Sequence, residues 1–285
     1  EGPIDRIGRI WADGKPISLA GITMRIYRGT TSQSPDPLIE GVEGTGNAPA
    51  YRGTAYVVFD NLALEKFGNR LPQLTFEVFR RVSSTAGDSL ETIVRAVTMI
   101  PGAGERTYDT KVQKRDLGGG STTPENDSAG RSTSDWSVAL DDLKASLPSV
   151  DTVFLVVGWF GDDLRCGSCT IRPKVEVANK VTTPDAWMVH GIARSGALVM
   201  SLSSGKPAYG GTPSDDTVVR AVRDLKARGY AVVFYPFVFM DVPAGNALPN
   251  PYGGTGQPVY PWRGRITCHP AAGQSGTVDK TATAG

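Results

Sequence analysis

Near its middle the chain reads Val153-Phe-Leu-Val-Val-Gly-Trp-Phe160, a run without a charged side chain. A continuous apolar run of this length is typical of a strand buried on both faces of a parallel sheet. A second apolar run, at residues 231–240, has the same character. We therefore take these two runs as neighbouring strands and work outward from them.

A helix is predicted before each run. Ser134 is a candidate N-cap for a helix up to Leu147, and Ser214 for one that runs to Arg228 and ends at Gly229. Further strands are predicted at residues 93–100 and 197–202. This order of strands and helices predicts βα units and a parallel sheet, either open or closed into a (β/α) barrel. About four such strands would make half of a closed barrel.

The first part of the chain has strand periodicity instead. Residues 6–11 alternate and meet an Asp13-Gly14 turn, which is a hairpin signal. Residues 22–27 alternate with Ile22, Met24 and Ile26 on one face, and residues 54–59 and 74–79 are rich in β-branched and aromatic side chains. We expect exposed loops at residues 30–51 and 118–131. Together the two halves predict an α+β multidomain protein.

Composition limits the function. The 285 residues carry 30 basic and 29 acidic side chains, so no net field attracts the chain to nucleic acid. The 34 glycines and 20 prolines indicate many turns and loops. No apolar run approaches the roughly 20 residues of a membrane helix. Because the chain starts without Met and ends on a polar tail, we expect a piece of a longer polypeptide.

Acidic residues follow the predicted strands, where the active sites of parallel barrels lie. Glycoside hydrolysis needs two such carboxylates, one as general acid and one as nucleophile or base. The alternative is that these residues form turns and cap helices, and that nearby aromatic residues are core. The catalytic candidates are Glu105, Asp162, Asp163 and Asp241, with Asp109 also following a strand. Candidate sugar-stacking side chains are Trp159, Tyr209, Tyr235 and Trp262.

Cys166-Gly-Ser-Cys169 has the spacing of a metal knuckle or a redox pair, and Cys268-His269 could complete a zinc site, with His190 in reserve. The alternatives are a disulfide or two thiols in a turn, so the sequence does not decide whether these residues bind a metal. No cofactor is predicted, because G-x-G-x-x-G and G-K-[ST] are absent. Having only two histidines argues against a Ser/His/Asp triad.

Two groups of motifs carry a family resemblance. Tyr51-Arg-Gly-Thr-Ala-Tyr-Val-Val-Phe-Asp60, continuing to residue 78, resembles the hub segment of tail-tip and host-specificity proteins of long-tailed phages, as do residues 1–7 and 10–16. Residues 157–169, 207–214, 241–249 and 260–268 resemble the TIM-barrel-like, glycoside-hydrolase-related domain of the large baseplate protein of gene transfer agents, often called the megatron protein.

The resemblance implies a β-rich tail hub segment at residues 1–87 and an incomplete (β/α) TIM-barrel-like domain at residues 88–285 that continues beyond the chain. It implies a structural protein of the virion tail tip or baseplate that helps to recognise or penetrate the host envelope. The implied partners are two further copies in a homotrimer, other baseplate and distal tail proteins, and a host glycan or receptor. The alternatives are a hydrolase of host cell-wall or surface glycans and a sugar-binding adhesin. Both Cys166 and Cys169 belong to the family pattern.

Overall fold

The structure, a computed structural model, describes residues 2–17, 19, 21–80, 89–100, 104–128, 130, 132–261 and 266–277. The chain divides into two compact units. The first comprises Glu1–Val94 and Asp127–Ser149, and the second comprises Arg95–Asn126 and Val150–Gly285. The domain boundary expected at residues 87–88 lies outside the described residues. Residues 127–149, which the sequence prediction assigned to the second domain, group with the first unit.

The first unit combines short strands with three helices in its described part. Its strands are β1 (Arg6–Ala12), β2 (Lys15–Pro16), β3 (Thr23–Arg28), β4 (Ala55–Asp60) and β5 (Leu74–Phe79). Its helices are α1 (Pro37–Glu43), α2 (Leu90–Ile93) and α3 (Asp135–Ser146). A 3-10 turn lies at Glu65–Phe67.

The predicted hairpin at the start of the chain is confirmed. Strand β1 pairs antiparallel with β2 on one side and with β5 on the other. The turn between β1 and β2 places Asp13 at φ 50° and Gly14 at φ 76°. Two left-handed residues give the turn the twist that adjacent strands need, and this explains the Asp-Gly pair. The Ser134 cap is also confirmed, since its side chain accepts a hydrogen bond from the Ser137 amide at the start of α3.

Strands β3 and β4 pair antiparallel over six residue pairs. The face expected to be apolar is partly open, since Ile26 is 36% exposed. The opposite face is also partly covered, because Tyr27 stacks on Tyr56 and Arg25 donates to the buried carboxylate of Asp36 at 2.7 Å. Asp36 also caps α1, a helix within the segment that was expected to be an exposed loop. Its side chain accepts from Leu38, and a proline follows directly, as helix starts favour.

The second unit is built around a parallel sheet and carries many short pairings. Its strands are β6 (Ala96–Met99), β7 (Lys114–Gly118), β8 (Ser121–Pro124), β9 (Thr152–Gly161), β10 (Ile171–Arg172), β11 (Lys174–Val175), β12 (Thr182–Thr183), β13 (Met188–Val189), β14 (Ile192–Ala193), β15 (Leu198–Val199), β16 (Leu202–Ser203), β17 (Lys206–Pro207) and β18 (Ala231–Met240). Helix α4 spans Asp215–Ala227, and a 3-10 turn lies at Arg194–Gly196. No described helix is long and apolar enough to cross a membrane.

The two apolar runs form the parallel strands β9 and β18, as predicted. They pair along their full length, from Ala231 opposite Thr152 to Met240 opposite Gly161. Strand β6 pairs parallel with the first half of β9, and β10 pairs antiparallel with its end. We call these four strands the central sheet. Consecutive residues of β9 are buried, including Val153, Leu155 and Val156, as expected for a strand covered on both faces.

Three sequence expectations for the second unit need correction. The strand predicted at residues 197–202 is only β15, which pairs with β11 outside the central sheet. Residues 118–131 begin with the hairpin β7–β8, whose turn uses Gly118, Gly119 and Gly120 at positive φ. The predicted strand at residues 93–100 begins only at Ala96, because α2 ends at Ile93. The described strands form several small sheets and no closed barrel, which makes the fold α+β.

Candidate functional site

The four predicted catalytic carboxylates all follow strands of the central sheet. Glu105 follows β6, Asp162 and Asp163 follow β9, and Asp241 follows β18. Strands β9 and β18 end side by side, at Gly161 and Met240, at the edge where α/β proteins place ligands. Strand β6 points the same way and ends opposite Leu155, in the middle of β9. Each carboxylate has hydrogen-bond partners of its own, and these decide what it can do.

Glu105 is fully buried and ionised. Arg194 contacts both of its oxygens, the Glu176 amide donates to Oε1 at 2.8 Å, and Lys180 Nζ lies 3.4 Å from Oε2. Lys180 also contacts Glu125 at 2.8 Å and Glu176 at 2.9 Å. Burial opposes ionisation of Glu105, but Arg194 and Lys180 outweigh it and hold its pKa below the ordinary value. A carboxylate so fully engaged serves as the centre of an ion cluster.

Asp163 and Asp162 are neighbours with different surroundings. The Arg165 guanidinium donates to both oxygens of Asp163, at 3.0 and 2.6 Å, and Gln257 donates to Oδ1 at 2.7 Å. The hydrogen bond from Arg165 outweighs burial and lowers the pKa of Asp163 to about 2. Asp162 is exposed and accepts from the Thr170 amide at 2.7 Å. Asp163 therefore lacks the raised pKa that a general acid needs near neutral pH.

Asp241 differs from the others because one of its oxygens has no partner. Lys174 Nζ donates to Oδ2 at 2.6 Å and the Ser201 amide donates to the same atom at 3.1 Å, while Oδ1 is buried without a hydrogen bond. The Tyr209 hydroxyl is buried without a hydrogen bond as well. Burial, and then the charge of Asp241, raise the pKa of Tyr209 to about 12. Asp241 Oδ1 is thus an acceptor with spare capacity beside a neutral phenol.

The candidate aromatic residues do not form one platform. Tyr209 packs on the rings of Phe160 and Phe239, with centroids 5.8 and 5.4 Å apart. Trp159 packs against a buried cluster that includes Trp187. Tyr235 is 43% exposed on β18. Trp262 lies outside the described residues. Tyr209 and Trp159 therefore contribute to the core.

A second ion cluster connects the turn after β6 to the start of α4. Asp109 is fully buried, and Arg220 contacts Asp109 at 2.6 Å, Asp185 at 3.0 Å and Asp216 at 2.7 Å. The three carboxylates offer oxygens within 4.8 Å of one another, which is close enough for a metal ion. Arg106, also buried, adds a contact to Asp216 at 3.3 Å. Because Arg220 already bridges all three acids, their charge is compensated by protein groups.

Sequence reasoning found the acids and missed the bases that neutralise them. The missed basic residues are Arg106, Lys174, Lys180, Arg194 and Arg220. Only the four-residue spacing from Asp216 to Arg220 on α4 was a usable signal. Lys174 lies in the two-residue strand β11, Arg194 in a 3-10 turn, and Arg106 and Lys180 outside helices and strands. Spacing in such short segments does not predict which acid each base contacts.

The cysteines do not form a metal site in the structure. Cys166 and Cys268 are exposed free thiols, and Cys169 is a half-buried free thiol. Among the described residues, the acids Asp109, Asp185 and Asp216 are the group that meets the distance condition for a metal, and no cysteine or histidine belongs to it. Cys169 packs with Leu164, Met240 and Val242, which favours the interpretation of a thiol within a turn.

The first unit has a groove of about 410 Å³ that the sequence did not predict. Trp11, Phe79 and the ion-paired Arg9 and Glu77 are among its lining residues. Its volume is within the range of small-molecule sites.

The comparisons with known proteins match solved structures over part of the chain. No family model matches the chain, and no curated protein matches it. The chain is similar to a chain of a solved structure described as the virion of a native gene transfer agent particle. The two are 51% identical over 36% of this chain and 24% of that one, and the TM-score is 0.29. This protein therefore spans about a quarter of the length of the virion chain.

Proposed function

We propose that this chain is a structural part of the virion of a gene transfer agent or related phage, located at the tail tip. The observation that carries the proposal is the stretch at residues 51–78, whose sequence resembles phage tail hub proteins over its whole length. In the structure this stretch contains β4 and β5 of the first unit. The 51% identity to a chain of a gene transfer agent virion concerns the same class of particle.

The ion clusters of the second unit support a structural function. Glu105, Asp109 and Asp163 are buried and ion-paired. An active site keeps its acids available to substrate and adjusts their pKa values toward the working pH. In these clusters, by contrast, the carboxylates are buried and ion-paired. Such clusters fix the positions of loops.

We further propose that the second unit belongs to a TIM-barrel-like domain. Its support is the parallel order of β6, β9 and β18 and the open side of β18. In the described part of the chain β18 pairs only with β9, and Val233, Phe234 and Tyr235 are 40–55% exposed. Exposed apolar edge strands are rare in complete domains, because their unpaired backbone N–H and C=O groups pair with other strands. We propose that the next parallel strand of the same polypeptide pairs with this edge of β18.

The test of location uses labelled particles. An epitope inserted at Gly119, in the exposed turn between β7 and β8, should be accessible to antibody without disturbing a buried group. We expect gold-labelled antibody at the end of the tail in purified particles, and none on untagged particles. Label on the capsid, or particles that lack the chain, would contradict the proposal.

The proposed trimer has its own test. Reconstruction of the tail tip by electron microscopy should give three copies of the first unit around the tail axis. A single copy on that axis, or six copies, would contradict the trimer and leave the virion assignment standing.

The glycoside-hydrolase alternative rests on one observation, the free Oδ1 of Asp241 beside Tyr209. We test it by glycan release from purified host envelope, comparing wild type with Asp241→Asn and with Asp116→Asn as an exposed control in β7. Release that Asp241→Asn abolishes and Asp116→Asn retains supports hydrolysis, provided that circular dichroism is unchanged. Equal release by all three proteins, or none by wild type, contradicts it.

A further inference from the structure

Two segments distant in sequence lie side by side in the second unit. The Thr267 amide donates to the Leu164 carbonyl at 2.8 Å, and the Cys166 amide donates to the Thr267 carbonyl at 2.9 Å. These two hydrogen bonds make a parallel bridge between Arg165 and Thr267. Cys166 and Cys268 are each the next residue after a bridge partner.

This bridge places the backbone at Arg165 beside the backbone at Thr267, directly before the two cysteines. Paired backbones lie about 4.7–4.9 Å apart, and disulfides join Cα atoms about 4.4–6.8 Å apart. Cys166 and Cys268 each follow one partner of this isolated bridge by one residue, so the chain reaches both cysteines from adjacent backbone positions. Both are exposed free thiols, which a soluble reagent can reach.

Cys169 is the competing partner for Cys166, and its surroundings disfavour that pairing. The chain turns back at this point, since the Cys169 amide donates to the Arg165 carbonyl at 2.9 Å. Its sulfur points inward: a Cβ atom placed on Gly161 would lie 2.9 Å from Cys169 Sγ. Cys169 is thereby packed with Leu164 and Met240. Shielded thiols exchange slowly with disulfides in solution.

We propose that Cys166 and Cys268 are a redox-active pair that forms a disulfide and ties residues 266–268 to the end of β9. The oxidant is a low-molecular-weight disulfide. The thiolate of one cysteine attacks it, forms a mixed disulfide and releases one small thiol. The second cysteine then displaces the other small thiol. Overall, two cysteine thiols become one disulfide, and the small disulfide takes up the two electrons and two protons as two thiols.

Peptide mapping tests the pairing. The full chain is incubated with glutathione disulfide, free thiols are blocked with iodoacetamide, and tryptic peptides are identified by mass spectrometry. Trypsin cleaves after Arg165, which leaves Cys166 and Cys169 in one peptide, so Cys169→Ser is the matched control. We expect the link to Cys268 in wild type and Cys169→Ser, and its loss in Cys166→Ser and Cys268→Ser.

Three results would overturn the proposal: a Cys166–Cys169 link as the main product, glutathione adducts without an internal link, or full labelling of all three thiols. Thermal unfolding provides a second readout. Oxidation should raise the melting temperature of wild type and Cys169→Ser by several degrees and leave Cys268→Ser unchanged, because the link restrains the unfolded chain. The same redox-dependent shift in Cys268→Ser would contradict the pairing.

Discussion

Glu105 illustrates how the surroundings of a single residue decide its function. By sequence it is an acid after a strand, where barrel enzymes hold catalytic groups. In the structure it is fully buried and shared between Arg194 and Lys180. A buried charge with compensating charges is strongly held, and removal of one member leaves the others without compensation. Its contribution is therefore to stability.

The first prediction concerns this residue. Glu105→Gln keeps the shape of the side chain and removes its charge, leaving Arg194 without a carboxylate partner. We expect a loss of about 3–5 kcal/mol in the stability of the second unit. Asp162→Asn is the control, because Asp162 is exposed, and it should cost less than about 1 kcal/mol. Amide hydrogen exchange of β9 measures the loss of stability in each variant. Equal protection in the two variants would contradict a structural role for Glu105.

The second prediction is a pH dependence that Asp163 causes. Its folded pKa of about 2 is below the ordinary value of 3.8, so the stabilisation is complete above about pH 4 and is lost as pH falls through about 2. Asp163→Asn should accordingly be less stable than wild type at pH 5, and the difference should shrink toward pH 2. Urea unfolding at the two pH values measures it. A difference of the same size at both would contradict the ion pair with Arg165.

At the scale of elements, β9 and β18 pair in full register because both are apolar throughout and of equal length. Their close approach depends on a small residue. A Cβ atom on Gly158 would lie 2.6 Å from a ring carbon of Phe239, and that ring is held between Phe160 and Tyr209. The glycine is thus required for space in the packing of β9 against the Phe239 ring.

The third prediction tests this requirement. Gly158→Ala should destabilise the second unit by about 1–3 kcal/mol, because the packed ring cannot move away. Gly167→Ala is a matched control, since a Cβ atom there meets nothing within 4 Å. It should change stability by less than about 0.5 kcal/mol. Thermal unfolding followed by near-ultraviolet circular dichroism distinguishes them. Indistinguishable melting temperatures would contradict the packing argument.

At the scale of the whole molecule, β18 is a long apolar strand that is exposed over part of its length. Phe234 is 55% exposed and its neighbours Val233 and Tyr235 are similarly open. Edge strands of this kind pair with other chains unless charge or a covering element prevents it. In a virion the proposed next strand would cover this edge.

The fourth prediction follows from that edge. The isolated chain should aggregate through β18, and Phe234→Lys should slow aggregation several-fold, because a charge on an edge strand opposes pairing. Val42→Lys is the control: it adds the same charge at an 80% exposed position on α1. Light scattering at constant temperature measures the rates. The same rate in all three proteins would contradict an uncovered edge.

Local patterns in the sequence determined the parallel strands β9 and β18, the Ser134 cap of α3, the β1–β2 hairpin and the acids that follow the strands of the central sheet. They also placed the start of α4 after Ser214, although the Ser214 side chain makes no capping hydrogen bond. Each depends on residues close in sequence, where apolar periodicity and turn geometry act directly. The tertiary structure alone decided that Glu105 meets Arg194 and that Cys166 lies beside residue 267. Such contacts join distant segments, and no local spacing encodes them. The charge state and accessibility of each candidate acid depend on those contacts, so only the fold decides which of these acids is free to act on a ligand.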